Sequence, residues 1–362
     1  MIEAEPNPFE PVYQRRGAPA DRDPSGIPPF VEGFAEEYRA GMEGALAIDR
    51  SNRGAVRVTG RDRESFLQNM LSNDVRSIPP GGGVTAAFLN NKGKLVSDLL
   101  VLKEEDFFLL ELERSRVEPF TRSLGRYVIS EDVVLESLVG RDVSFSIVGP
   151  RVSTILATLA ETSAAQLDAM PHLHHFRFEV AGAPTRLTAH RRERSVRFDV
   201  GSSVEHAAAL LAAVLDGGAL LGGTLVSEAR RIEAGIPRFG ADMDESHFPQ
   251  EAALDDAISF QKGCYIGQEY VVRLAHRGHL NRKLVGLLVP TGPKPPPGSK
   301  VLRGEEEVGV VTSSAESPAF GGALALAHLK REVFEPGTAV LLEGGVEAIV
   351  SALPFESRAR MR

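Results

Sequence analysis

The chain has 362 residues, 43% of them hydrophobic, and a formal net charge of −8. This length allows two or three ordinary domains, and the acidic balance disfavours a broad nucleic-acid surface. A single cysteine excludes an internal disulfide framework and a self-contained cysteine-ligated iron–sulfur cluster, and it fits a reducing compartment.

The opening MIEAEPNPFEP has no basic start and no apolar core, so it does not read as a signal peptide. No apolar run is long enough to span a bilayer, and the expectation is a soluble cytoplasmic protein without a membrane partner. Residues 1–30 are rich in proline and charge and lack periodicity, which predicts a poorly ordered stretch within a flexible arm at 1–42. A helical pattern starts at Phe34. Short strands are expected at 45–49 and 55–59, then a helix behind Asp62 with Phe66, Leu67, Met70 and Leu71 on one face. Residues 79–83 (PPGGG) form a turn; a phosphate loop would need the Lys-Ser/Thr ending that is missing here.

Strands are predicted at 84–89, 94–102 and 107–112, followed by Val117, Phe120, Leu124 and Tyr127 at helical spacing, then strands at 133–138 and 143–148. This rhythm predicts an α+β domain over 43–148, with helices on one face of an antiparallel sheet. It resumes over 149–240, with a helix at 152–159, strands at 176–180, 185–189 and 196–200, and an alanine-rich helix at 204–215. His172, His174 and His175 cluster in this region, but adjacent His174 and His175 would point opposite ways on a strand and no cysteine is near. Structural or solvated histidines are the simpler reading, and no metal site is assigned. A helix at 226–235 carries Arg230, Arg231 and Glu233, which on residue type alone is a solvated charged face.

A long irregular linker, 241–283, contains residues 262–269, KGCYIGQE. It holds the only cysteine, Cys264, between Gly263 and Gly267, with Lys262 and Glu269 at its ends. A lysine near a thiol favours the reactive thiolate, and paired glycines suggest a shaped turn or a close ligand approach. The other reading is a buried cysteine filling space beside a tight turn. From 262 to 283 the basic residues Lys262, Arg273, Arg277, Arg282 and Lys283 face Glu269 alone, a local charge of +4 in an acidic chain. Such a strip suits a glutamate tail or a phosphate on a macromolecular partner; a solvated basic helix face is the alternative. Short apolar runs from 284 to 353, separated by Gly, Pro or charged turns, predict a small C-terminal β-barrel over 284–362.

The stretches 228–237 (EARRIEAGIP), 248–251 (FPQE) and 262–269, with Arg273, resemble the YgfZ-type folate-binding proteins, relatives of the glycine-cleavage T-protein (aminomethyltransferase). Residues 58–60 (VTG), 73–75 (NDV) and 93–102 match the wider superfamily. The resemblance implies a three-domain, cloverleaf-like α+β T-protein fold, its first two domains interleaved in sequence, around an opening that accepts tetrahydrofolate or a one-carbon or polyglutamylated derivative. It implies an accessory factor for iron–sulfur protein assembly or repair with a link to tRNA modification. The partners would be iron–sulfur client or assembly proteins and tRNA-modifying enzymes. The alternative is a folate-dependent aminomethyltransferase. The implied catalytic residues are Cys264 and Asp98. The implied folate-binding residues are Arg231, Asp98, Lys262, Tyr265, Gln268, Glu269 and Arg273. Two features depart from T-proteins: Ser97-Asp98 replaces two adjacent acids, and RRERSVRFDV at 191–200 lacks the Gly-Tyr-Thr-Gly-Glu-type segment.

Overall fold

The computed structural model describes residues 7–180, 182–191 and 196–356, without the side chain of Arg277. Residues 192–195 of the departing 191–200 segment therefore lie outside the described residues. In chain order the first elements are α1 (Glu10–Arg15), α2 (Phe34–Glu43), β1 (Leu46–Asp49), β2 (Arg53–Thr59), α3 (Arg63–Met70), β3 (Gly82–Leu89), β4 (Leu95–Lys103) and β5 (Phe108–Glu113). Next come α4 (Arg114–Gly125), β6 (Val134–Ser137), β7 (Asp142–Val148), α5 (Val152–Leu159), α6 (Ala164–Asp168), β8 (His175–Val180), β9 (Ala183–His190) and β10 (Arg197–Ser203). The chain continues through α7 (Val204–Asp216), β11 (Leu220–Gly222), α8 (Thr224–Glu233), a 3₁₀ turn at Asp255–Ala257, and α9 (Gln268–Arg277). It ends in β12 (Arg282–Val289), β13 (Lys300–Arg303), β14 (Glu306–Ser317), β15 (Gly322–Lys330), β16 (Ala339–Leu342) and β17 (Val346–Ser351).

Two compact units result. One comprises Met1–Gln68, Asp74–Thr85 and Leu99–Ser227; the other comprises Asn69–Asn73, Ala86–Asp98 and Glu228–Arg362. In the first unit a six-stranded sheet runs β11-β1-β7-β10-β9-β8, antiparallel except for the parallel β1–β11 pair. Its apolar face meets α7 through Ala207, Leu210, Leu211 and Val214, the 3.6-residue stripe of an amphipathic helix. Phe9, Val12 and Tyr13 are buried in the same core. The segment expected to be poorly ordered thus packs, and a polar tie explains how. Buried Asp49 accepts from Asn7 Nδ2 (2.8 Å), Tyr13 Oη (2.9 Å) and Ser51 Oγ (2.6 Å).

The five-stranded sheet β3-β4-β5-β2-β6 is covered by α4, whose Val117, Phe120 and Leu124 are buried as their spacing predicts. The chain switches units partway along β3 and β4, so Ala86–Asp98 belongs to the second unit. That unit also contains the closed barrel β12-β15-β14-β13-β16-β17, with Leu287, Val301, Val308, Ala325 and Leu329 among its filling. Closure leaves no strand edge unpaired in this barrel. Antiparallel α+β sheets followed by a small barrel agree with the fold class read from sequence. No helix among the described residues is long and apolar enough to cross a membrane.

Candidate functional site

The octapeptide 262–269 is seated on a short segment of the same unit. Ser72 donates its hydroxyl to Ala257 O (2.6 Å), and its carbonyl receives Ser259 N (2.9 Å). Lys262 Nζ donates to Leu71 O (2.6 Å) and Asn73 O (3.0 Å) and lies 5.2 Å from the centre of the Tyr265 ring. The ammonium expected to serve the thiol is thus committed to backbone carbonyls.

The two glycines play different parts. Gly267 has φ 80° and caps α9; a Cβ there would stand 2.5 Å from Asn90 O and 2.9 Å from Gly93 Cα. Gly93, at φ 74°, closes the β3–β4 turn, and its own added Cβ would meet Tyr270 Cβ at 2.7 Å. These two glycines let the hairpin turn and the start of α9 touch. Gly263 has open space around it, so the close-approach reading applies to Gly267 alone.

Cys264 is free and exposed, which removes the reading of a buried filler. Its neighbour Tyr265 is buried in an apolar cluster with Ala87, Leu89, Leu95, Ala252, Ile258 and Val271. The Tyr265 hydroxyl is buried and has no hydrogen-bond partner among the described residues; burial pushes its pKa up to about 12, so the phenol stays protonated. Gln268 opens α9, and exposed Glu269 stands in its first turn, where a carboxylate suits the positive end of a helix dipole. Arg273 is exposed, its guanidinium carbon 5.7 Å from the Tyr270 ring centre.

The FPQE stretch holds α9 and the barrel to this seat. Gln250 Nε2 donates to Val271 O (2.9 Å), Lys94 Nζ stands 3.4 Å from the Phe248 ring centre, and Leu284 N donates to Glu251 O (2.7 Å). Glu251 also accepts from Phe248 N at 2.9 Å and pairs with Arg282 at 3.4 Å, so Arg282 of the basic strip is engaged.

Arg231 belongs to a second cluster. Nε and Nη2 bond both oxygens of Glu228 (3.2 and 2.7 Å), Nη1 bonds Ile236 O (2.8 Å) and Asp242 (2.7 Å), and Nη2 bonds Ser313 Oγ (2.9 Å). Every donor of the guanidinium therefore has an internal acceptor. Burial opposes its charge, yet Glu228 and Asp242 hold its pKa above the ordinary arginine value. Asp242, fully buried, also accepts from Thr312 Oγ1 and Ser313 Oγ at 2.6 Å each, which ties α8 and the 236–242 loop to β14. The signature arginine is neither solvated nor available; it is a tie. Asp242, Ser72 and Gly93 were not singled out from sequence as site residues, and only Gly93, inside a quoted superfamily stretch, carried a signal.

Asp98 is half-buried on β4, beside buried Ser97, whose hydroxyl donates to Asp98 O (3.0 Å). In the other unit the clustered histidines do not converge: His172 Nδ1 accepts from Arg191 N (3.1 Å), while His175 is buried 3.8 Å from Glu104. No group of three metal-capable side chains occurs among the described residues.

Comparisons with known proteins bear on this arrangement. Residues 7–262 match the GCVT N-terminal domain family, and residues 282–355 match the glycine cleavage T-protein C-terminal barrel domain. An aminomethyltransferase of Chloroherpeton thalassium is 29% identical over 360 residues, covering 96% of this chain and 98% of that protein. One from Bacillus mycoides is 28% identical over 375 residues, covering 99% and 100%. The crystal structure of glycine cleavage system aminomethyltransferase T from Bartonella henselae has the same fold, with a TM-score of 0.87 at 22% identity over 97% of this chain and 98% of that one. The family match spans more than half of the sequence, and the chain belongs to the glycine cleavage T-protein family.

Proposed function

We propose that this protein binds a tetrahydrofolate and transfers a one-carbon unit, the aminomethyltransferase reaction for which its relatives are named. The observation that carries the reading is the match of both T-protein domains along one chain, with relatives aligned over nearly their whole length. This shifts the weight from the accessory-factor reading of the octapeptide to the alternative given beside it. The reading also keeps the protein in the cytoplasm, in line with its single cysteine.

The folate would supply the nitrogen that accepts the carbon; the protein's part is to hold and orient it. Asp98 is a carboxylate suited to hydrogen-bonding a pterin, and the unpartnered Tyr265 phenol offers a protonated donor. A buried donor without an acceptor costs about 1–3 kcal/mol, so a ligand acceptor reaching it would recover that energy. Arg273 is the exposed cation for a glutamate tail, with Gln268 and Glu269 beside it on α9. Arg231 and Lys262 act as positioning groups, because their donors are already used. The test is formation of methylenetetrahydrofolate from aminomethyl-loaded lipoyl carrier protein. Product at a rate above the protein-free control is expected, and its absence overturns the reading.

One observation favours a second reading, iron–sulfur protein maintenance linked to tRNA modification: Cys264 is exposed while Lys262, Tyr265 and Gly267 around it are held. That arrangement presents a thiol to a partner protein. Cys264→Ser changes size little, so loss of iron–sulfur enzyme activity in cells carrying only the serine variant supports this reading, and full rescue removes it.

A further inference from the structure

β8 is the outer strand of the six-stranded sheet, and beyond His175 the outward side of its backbone is unused among the described residues. Ala189 N donates to His174 O, and β8 pairs with β9 in the register Phe176↔Leu187 through Val180↔Ala183. Antiparallel ladders alternate, so the N–H and C=O groups of Phe176, Phe178 and Val180 face β9, while those of His175, Arg177 and Glu179 face outward. His175 N fixes that direction by donating to Gly81 O (2.8 Å). Among the described residues no backbone group outside β9 pairs with Arg177 or Glu179. Phe176 is 50% exposed beside them.

We propose that β8 pairs antiparallel with the β8 of a second copy of this chain, about a twofold axis at Phe178. In that register Arg177 exchanges its outward backbone bonds with Glu179 of the other copy, and the reverse pair repeats them. The exposed side chains then match: Arg177 meets a glutamate and half-buried Phe178 meets itself, the opposite-charge and aromatic pairs that favour strand association, while Val180 stays buried in its own core. Moving the axis to Arg177 or to Glu179 sets that residue against its own copy, and like charges repel. Charged residues on an edge strand ordinarily discourage pairing. Opposite charges two residues apart instead discourage strangers and admit a copy. Arg177 is already held at this edge, 3.0 Å from Glu104 and 5.7 Å from the Phe107 ring centre, so little freedom is lost on pairing. Two outward residues per copy make the association weak and concentration-dependent.

Sedimentation velocity of the full chain over a concentration series tests this, with thermal melts to certify that each variant folds. The wild type should dimerise reversibly. Arg177→Glu and Glu179→Arg should each raise the dissociation constant about tenfold or more, and the double exchange should restore it. Should either reversal fail to fold, Arg177→Gln and Glu179→Gln should shift the constant the same way by a smaller factor. A wild type that stays monomeric throughout overturns the proposal. So does a dimer that the single changes leave intact or the double exchange fails to restore.

Discussion

Two clusters of the second unit invite comparison, because both were quoted as signatures and they do different work. Around Arg231 every polar group is spent: five guanidinium bonds, and an Asp242 carboxylate that holds two hydroxyls besides. Around the octapeptide the backbone is equally fixed, yet the Cys264 thiol, the Tyr265 hydroxyl and the Arg273 guanidinium are left for something else. A signature residue can therefore mark architecture or chemistry, and the partners of its polar atoms decide which.

Substitution should separate the clusters by magnitude. The largest effect is expected from Asp242→Ala, which leaves the buried Arg231 charge without its deepest partner and takes the acceptor from the Ser313 hydroxyl. A loss of about 3–5 kcal/mol is expected in urea denaturation, on the scale of breaking a buried ion pair. Gly267→Ala comes next, since it forces a side chain into a positive-φ position 2.5 Å from Asn90 O. A loss of about 1–3 kcal/mol should follow, while Gly263→Ala, in open space, should stay within about 0.5 kcal/mol in the same melts.

Acid should weaken both units through buried histidines. Burial lowers the pKa of His175 in the first unit and of His328 in the second, where His328 stacks on His247 with ring centres 4.5 Å apart. For each, the folded pKa lies below the unfolded value near 6.5, so the unfolded state binds the proton first. Stability is then complete above about pH 6.5 and falls as pH drops toward the folded pKa, by at most about 1.4 kcal/mol per pH unit for each histidine. Urea midpoints at neutral and mildly acidic pH check this, and a flat profile contradicts it. Tyr265→Phe should cost no stability. Removing an unpartnered buried hydroxyl should leave stability unchanged or raise it by up to about 1 kcal/mol, while weakening folate binding in calorimetry.

Much of this was legible in the sequence. Period-two runs located most strands, and helical spacing found Val117, Phe120 and Leu124 as the buried face of α4. Regular short runs after residue 284 indicated the barrel, and the octapeptide announced itself by composition. What escaped depends on contacts distant in sequence. The N-terminal segment has few apolar residues and no period, and its order comes from Asn7 and Tyr13 meeting Asp49 some forty residues on. Asp242 is one of three closely spaced acids in an irregular loop, and nothing local marks it as the one that meets Arg231 and Ser313. The charges on α8 looked solvated because residue type does not reveal what a guanidinium will find. The basic strip looked uniform for the same reason, although Lys262 and Arg282 are tied and Arg273 is exposed.

Calorimetric titration of this chain with tetrahydrofolate decides whether it binds a folate. Saturable binding at one site is expected, weakened by Tyr265→Phe, and weakened by Arg273→Gln chiefly for polyglutamylated folate. Absence of binding heat, together with no competition by folate analogues, would contradict it.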